Sequence, residues 1–271
     1  FSSRSGGYGL TLQQGAAALR SLGLPNDGAT SDAHHSFLPD GGVLGCYGAA
    51  TRGGGSGAAA RRNVHTPRQA LRAKLLEALP REAVCWGCRV AGVRLEPGGV
   101  RFRVERGEGE GEEVRAALLV GADGIWSSVR ASVWPEEGPA RHLGLVVLLG
   151  RARCDHPLVE RKVWQTLDGK GTRIYAMPFS EEPPLTMWQL SFTLPEGEAR
   201  AMPRDGAWLK AEALRRTRGW HAPIPQLLEA TAAADITGYP VYDRPELRAI
   251  RQPRDEAKAE EAEEERGGEG E

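Results

Sequence analysis

The sequence predicts an α/β fold in which helices and strands alternate first and an antiparallel β-sheet with flanking helices follows. Three observations carry this. The apolar run Leu118-Leu119-Val120 stops at Gly121 as a buried strand stops, and a glycine-punctuated turn then leads into helix signals. Residues 8–24 and 63–79 carry apolar side chains at helical spacing. From residue 143 onward, strand-like runs succeed one another, separated by turn formers.

Residues 8–24 read Y-G-L-T-L-Q-Q-G-A-A-A-L-R-S-L-G-L. Thr11 is placed as the N-cap of a helix with Leu12, Ala16, Leu19 and Leu22 on one face, ended by Gly23. Residues 25–62 hold many turn formers. The string G-G-G-S-G-A at 53–58 nominally satisfies G-x-G-x-x-A, but no apolar strand precedes it and Asn63 soon interrupts the run after it. A flexible surface loop is expected there, not a phosphate site. His34 and His35 are adjacent, so on a strand they point to opposite faces and cannot readily share a metal. Residues 63–79 predict a second helix with Thr66 as N-cap, Pro67 at the first position, and Ala70, Leu71, Leu75, Ala78 and Leu79 along one side. Arg68 falls in the first turn, where a cation opposes the helix dipole, so its placement asks for a reason.

Residues 84–120 read as β structure. V-C-W-G-C-R-V-A-G-V-R-L alternates loosely, Pro97-Gly98-Gly99 turns, V-R-F-R-V alternates strictly, and the acidic segment at 107–113 is expected as a solvated loop before Val114 leads into the buried strand. Cys85 and Cys88 form a C-x-x-C, but a redox pair needs its first cysteine at a helix N-terminus, and a zinc site needs two more ligands at paired spacing. These are read as packing or indifferent thiols, and four cysteines in 271 residues give no disulfide scaffold. Gly121 and Gly124 permit a sharp turn with Asp123 between them, Ser127 is a helix N-cap, and Arg130 can reach a phosphate or pair with Asp123. Strands are expected at 143–149, 162–167, 172–179 and 185–193, with a hairpin turn at 168–171. Trp164, Tyr175, Met177, Trp188 and Phe192 lie along them, most as core. Helices at 205–218 and 224–233 and a strand at 236–244 follow. From Arg248 the chain is an acidic, low-complexity tail that cannot bury enough apolar surface to order itself.

A net charge of -1, with no basic stripe interleaved with aromatics, argues against nucleic acid as the main partner. No apolar run reaches the roughly 18 residues that span a bilayer, and no signal peptide is evident, so a cytoplasmic protein of one or two domains is expected. A P-loop, G-x-S-x-G and H-E-x-x-H are all missing from the sequence, no metal site is read, and no catalytic residue is identified.

The segment G-A-D-G-I-W-S-S-V-R at 121–130 resembles the second fingerprint of FAD-dependent monooxygenases of the aromatic-hydroxylase type, the salicylate hydroxylase and zeaxanthin epoxidase-like family. The likeness covers roughly residues 4–247 in the family's order. Residues 6–24 look like the segment that follows the dinucleotide-binding unit, and Arg4 sits where the family often carries an arginine near the flavin pyrophosphate. Arg68-Gln69-Ala70-Leu71 matches an R-x-x-L that supplies an arginine to the cofactor, and 236–244 looks like the lead into a third fingerprint. The resemblance implies an incomplete FAD-binding Rossmann-like domain over 1–135, a substrate domain with a β-sheet and helices over 136–247, and a disordered tail over 248–271. The cofactor-binding residues it implies are Arg4, Arg68, Gly121, Asp123, Gly124 and Arg130. It implies FAD as cofactor, NADPH or NADH as reductant, and hydroxylation of an aromatic or other activated small molecule lying under one face of the sheet.

Two departures matter. The N-terminal G-x-G-x-x-G strand with its acidic ribose partner, and the third fingerprint's G-D loop, do not occur in these residues, as if the enzyme were truncated at both ends. Weak or absent flavin binding, no turnover and poor solubility from exposed strand edges are therefore expected. The alternative is a non-catalytic remnant acting as an interaction protein through its acidic tail. Substrate identity, the choice of nicotinamide and the oligomeric state are not readable from the sequence.

Overall fold

A computed structural model describes residues 8–48, 63–107 and 110–246. In chain order its elements are β1 (Gly9–Thr11), α1 (Gln14–Ser21), β2 (Ala29–Ser31), β3 (Ala33–Phe37), β4 (Val43–Gly48), β5 (Asn63–Pro67), α2 (Arg68–Glu77), β6 (Cys88–Glu96), β7 (Gly99–Arg106) and β8 (Glu110–Ala116). There follow α3 (Ser128–Val133), β9 (Arg141–Ala152), β10 (Lys162–Leu167), β11 (Arg173–Ser180), β12 (Leu185–Thr193), α4 (Glu196–Ala201), α5 (Gly206–Arg216), α6 (Ile224–Ala230) and β13 (Thr237–Asp243). Arg4, the glycine string at 53–58 and the acidic tail lie outside the described residues. Contacts group the chain into two compact units, with divisions after Leu79, Leu143 and Val241, so the first unit draws on both ends of the described sequence. Among the described residues, no helix is long and apolar enough to cross a membrane.

The first unit holds a seven-stranded sheet in the order β13-β9-β12-β11-β10-β3-β4 and a three-stranded sheet β1-β5-β2. The hairpins β10–β11 and β11–β12 and the β12–β9 pair are antiparallel, as the sequence predicts. The β10–β3 pair is parallel, which no local pattern in the sequence announces. The turn between β10 and β11 is closed by Asp168, whose Oδ1 accepts the Lys170 and Thr172 amides at 2.7 and 2.9 Å.

One face of the large sheet puts Trp164, Ile174, Trp188, Leu190 and Phe192 against Leu209, Ile224, Leu227 and Leu228 of the helices. Trp188 is fully buried, and its indole N–H donates to Thr231 Oγ1 at 2.8 Å, which satisfies the one polar atom the ring carries inward. Gly150 on the neighbouring strand is required, since a Cβ there would stand 2.4 Å from that indole. The opposite face carries a smaller cluster of Val163, Met177, Phe179 and Met187, with Tyr8, Tyr175 and Leu185 packed on it.

Three local expectations are corrected in this unit. Thr11 and Thr66 are strand residues, not helix caps. Pairing of β1 with β5, Leu10 opposite Thr66 and Thr11 opposite His65, claims both segments, so α1 starts at Gln14 and α2 only after Pro67. The Thr66 hydroxyl donates instead to the Asp27 carbonyl at 2.9 Å. Residues 29–48, expected as loop, form β2, β3 and β4: the A-H-H-S-F of β3 has little strand propensity of its own and is held by ladders on both sides. His34 and His35 do point to opposite faces, toward Tyr47 and Cys46 respectively.

The second unit is the meander β6-β7-β8 with α3 laid on β6. Val93, Val100 and Phe102 are its buried centre, joined by Val114, Leu119, Val129 and Val133. The acidic segment is a loop only in part. Its last residues enter β8, where Glu113 lies opposite Arg103 and bonds Arg101 at 3.2 Å, so cross-strand charge pairing offsets a composition that disfavours strands. The predicted buried strand at 118–120 is also corrected. The ladder ends at Ala116, Leu118 and Val120 are 77% and 74% exposed, and no described strand pairs with them. An apolar run becomes a buried strand only where neighbours cover its edges and faces.

His65, wholly buried on β5, places Nδ1 2.9 Å from Thr11 Oγ1 and Nε2 2.7 Å from Ser31 Oγ, and burial lowers its pKa from 6.5 to about 4. A group whose folded pKa is depressed in this sense takes up its proton on unfolding. The stability it confers is complete above pH 6.5 and is lost as pH falls toward 4, roughly 3 kcal/mol at most. The urea midpoint of the wild type should therefore fall more steeply between pH 6.5 and 4.5 than that of His65→Gln. Parallel curves for the two proteins would contradict this.

Candidate functional site

The residues singled out by sequence fall in both units, and each group is described within its own. In the second unit the chain leaves the meander, turns through Gly121 to Trp126 and enters α3. Gly124 has φ +85°, and a Cβ on Gly121 would meet Val129 Cγ1 at 3.0 Å, so both glycines answer to geometry. Ser127 caps α3 as predicted, its hydroxyl accepting the Arg130 amide at 2.9 Å. Asp123 adds a second cap: its Oδ2 accepts the amides of Ser128 and Val129 at 2.7 and 3.3 Å and the Ser128 hydroxyl at 3.2 Å. Partial burial raises the carboxyl pKa, but hydrogen bonds from Ser127, Val129 and Ser128 outweigh it, and the net pKa lies below the ordinary value. Asp123 is thus an anion on an exposed turn, aimed and held by the helix it caps.

Arg130 takes neither of its expected partners. Its Nε donates to Glu137 Oε2 at 2.5 Å and its Nη2 to the Pro245 carbonyl at 2.9 Å. The Glu137 side chain is 8% exposed, so this pair is a buried clamp across the end of α3. A second arginine mirrors it: Arg244 donates through Nε to the Ile125 carbonyl at 2.6 Å and through Nη1 to the Gly138 carbonyl at 3.2 Å. Tyr242 sits edge-on to Trp126 at 5.4 Å between centroids. The segment after β13 is therefore tied to the Asp123 turn through three residues, Glu137, Tyr242 and Arg244, to which sequence reasoning assigns no role. Their partners are distant in sequence or are backbone carbonyls, neither of which leaves a motif.

In the first unit Arg68 opens α2. Its amide donates to the Tyr8 carbonyl at 3.0 Å, and its guanidinium lies 5.7 Å from the Tyr8 ring centroid. Among the described residues no carboxylate pairs with it. It also acts on Tyr239, whose phenol pKa is raised by burial and by Tyr8 and pulled back by the Arg68 charge. An exposed guanidinium without a carboxylate, beside two tyrosines and at a helix start where the dipole opposes it, is a cation placed for an incoming anion. Among the described residues no group of His, Cys, Asp and Glu could hold a metal ion.

Comparison with known proteins agrees with this geometry. The family model described as FAD binding domain matches residues 60–234, more than half of the chain. The chain is 36% identical over 163 residues to aurachin C monooxygenase/isomerase of Stigmatella aurantiaca, covering 60% of this chain and 39% of that protein. It is 27% identical over 176 residues to the FAD-dependent urate hydroxylase of Klebsiella pneumoniae, covering 65% and 43%. The chain thus spans less than half the length of these relatives. Among solved structures, Klebsiella pneumoniae HpxO in complex with FAD and uric acid matches with a TM-score of 0.74 at 22% identity, over 90% of this chain and 61% of that one. The 2,6-dihydroxypyridine-3-hydroxylase of Arthrobacter nicotinovorans matches with a TM-score of 0.72 at 16% identity, over 90% and 65%. These two show a shared fold.

The cap on α3 is directly testable. Asp123→Ala leaves two amides at the start of α3 without their carboxylate acceptor and should lower stability by about 1 kcal/mol, while Asp123→Asn keeps an acceptor and should cost only a few tenths. Urea unfolding followed by far-UV circular dichroism measures both. Equal midpoints for wild type and Asp123→Ala would show that the carboxylate does not cap.

Proposed function

Since the chain belongs to the FAD binding domain family, we propose that it carries part of the flavin site and the substrate-facing sheet of a monooxygenase that uses NADPH or NADH and dioxygen to hydroxylate an aromatic or other activated small molecule. The single observation that carries this reading is the Asp123 turn: two glycines at positions where a side chain would strain or clash, and a carboxylate fixed in its ionised form on an exposed surface.

The residues fit a cofactor of this kind in part. A dinucleotide offers phosphate anions and a row of hydroxyls, and the chain offers one uncommitted cation and one oriented carboxylate. Arg68 would hold an anionic oxygen of the cofactor. Asp123 would accept a hydroxyl through the lone pairs its capping bonds leave free, and Gly121 and Gly124 let the backbone come close. Arg130 supports the turn through Glu137, so its part is to position and not to touch. When bound, FAD supplies the redox and oxygen-transfer chemistry that no side chain can. What this chain does is bind, orient and exclude water. One cation and one carboxylate make few charge-assisted contacts, so residues 1–271 alone should bind FAD weakly.

The similarity to a monooxygenase and a urate hydroxylase supports the reaction class. A second reading draws on the exposed Leu118 and Val120: residues 1–271 fold and meet a partner there or through the acidic tail, without turnover.

Titration of FAD into the chain, followed by quenching of flavin fluorescence, decides between them. We expect a dissociation constant of about 10 to 100 μM, near 6 to 7 kcal/mol, weakened about fivefold or more by Arg68→Gln and by Asp123→Asn, neither of which should change the thermal midpoint appreciably. A folded protein that leaves flavin fluorescence unquenched at about 1 mM, or variants that bind as the wild type does, would remove the cofactor reading.

A further inference from the structure

The face of the large sheet opposite its helices is half apolar and half not. Val163, Met177 and Met187 form the apolar half. The other half, from the β4 edge inward, carries Tyr47, His34, Ser36, Gln165, Tyr175 and Arg173. The register puts Tyr47 beside His34, Ser36 beside Gln165, and Gln165 beside Tyr175, so alternation sets all six on one face, away from Trp164 and Ile174.

These side chains are bonded in a directed chain. The Gln165 amide donates to Ser36 Oγ at 2.9 Å, and Gln165 Oε1 accepts Arg173 Nε at 2.8 Å. The guanidinium is thereby fixed above the Tyr175 ring, 5.2 Å from its centroid. Among the described residues no carboxylate pairs with Arg173, unlike Arg130, Arg151, Arg161 or Arg216. A half-buried cation without a counter-charge is costly unless something else supplies the charge. Beside it, the Tyr47 hydroxyl and His34 Nδ1 are 2.7 Å apart, with rings 4.4 Å between centroids, and the imidazole meets Tyr175 edge-on at 6.0 Å. His34 Nε2 is buried and has no hydrogen-bond partner. A buried ring nitrogen left unpaired costs about 1–3 kcal/mol of desolvation, which native folds rarely leave uncompensated. One cation locked in orientation, one unpaired imidazole nitrogen and two aromatic rings converge on this half-face.

We propose that it recognises a flat aromatic ring bearing a carboxylate or an equally acidic ring oxygen. The anion lies on the free amino edge of Arg173, a ring heteroatom or oxygen meets His34 Nε2, and the ring plane rests on the tyrosines. Hydroxylation needs an electron-rich ring, and an acidic ring oxygen is such a donor when ionised, so this ligand class suits the reaction. The inference rests on the reading of this sheet as the substrate-facing one, but its residues lie in the first unit and are separable from the Asp123 turn.

The probe is 2-naphthoate, followed by its own fluorescence on titration with the chain, and its neutral isostere 2-naphthamide measured by competition. The wild type should bind the acid with a dissociation constant below about 1 mM and the amide about tenfold more weakly. Arg173→Gln should cost the acid about tenfold and leave the amide within about twofold. Tyr47→Phe, at an exposed edge position where folding is safe, should weaken both ligands by about twofold to fivefold, because His34 loses the hydroxyl that orients it. The proposal is overturned if the wild type does not bind the acid, if Arg173→Gln binds it unchanged, if acid and amide lose affinity equally, or if inorganic phosphate displaces the acid as well as unlabelled 2-naphthoate does. Asp123→Asn separates the two readings. Naphthoate binding retained where FAD binding is lost supports the sheet site independently of the cofactor turn, whereas FAD binding retained with no naphthoate binding by the wild type sinks the sheet site alone.

Discussion

The parallel pairing of β3 with β10 is the constraint on which the first unit depends. It joins residues 33–37 to 162–166 in one register, and everything placed on either face of the sheet follows from it. At its entrance the Asp32 amide donates to the Arg161 carbonyl at 2.9 Å, while the Arg161 guanidinium grips the Asp32 carboxylate through Nε and Nη2 at 2.9 and 3.1 Å. An exposed ion pair contributes no more than about 1 kcal/mol, so the register is held chiefly by the ladder and by burial. Trp164 is fully buried on one side of β10, and the neighbouring Thr166 hydroxyl meets His221 Nε2 at 2.8 Å. A slip of one residue would turn both outward and send Gln165 into the core.

The same economy governs the second unit. Asp123 orders α3 with one oxygen, and the ordering in turn fixes the carboxylate that a cofactor would meet. Capping and recognition are therefore coupled: the helix that needs the acceptor also removes the rotamer freedom that a ligand would otherwise have to freeze. Arg130 and Arg244 extend the arrangement by holding carbonyls on either side of the turn, so that the strand exit at Tyr242 to Pro245 and the Asp123 turn form one rigid piece. The buried Glu137, with its Oε1 unpartnered, is the cost of that clamp.

How much of this the residues announce depends on how local the cause is. β10 and β12 begin and end where their alternation says they should, Ser127 caps α3, and the Gly121-to-Gly124 turn forms, because each is settled within a few residues. Thr66 looks like a cap for equally local reasons and is overruled by pairing with β1. β3 and β4 are invisible in the sequence because their ladder partners lie more than a hundred positions away or in each other, and the half-face around His34 and Arg173 is invisible with them. Leu118 and Val120 show the converse: a strong local signal for a buried strand that no described neighbour completes.

The central claim is that the Arg68 helix start and the Asp123 turn receive a flavin dinucleotide on a scaffold registered by β3 and β10. Hydrogen exchange by mass spectrometry, with and without saturating FAD, tests it most directly. The account predicts slow exchange in β3 and β10 in both states, with FAD adding protection in peptides spanning 66–72 and 119–130 and leaving 206–216 unchanged. Fast exchange in β3, or FAD protection confined to peptides other than those two, would contradict it.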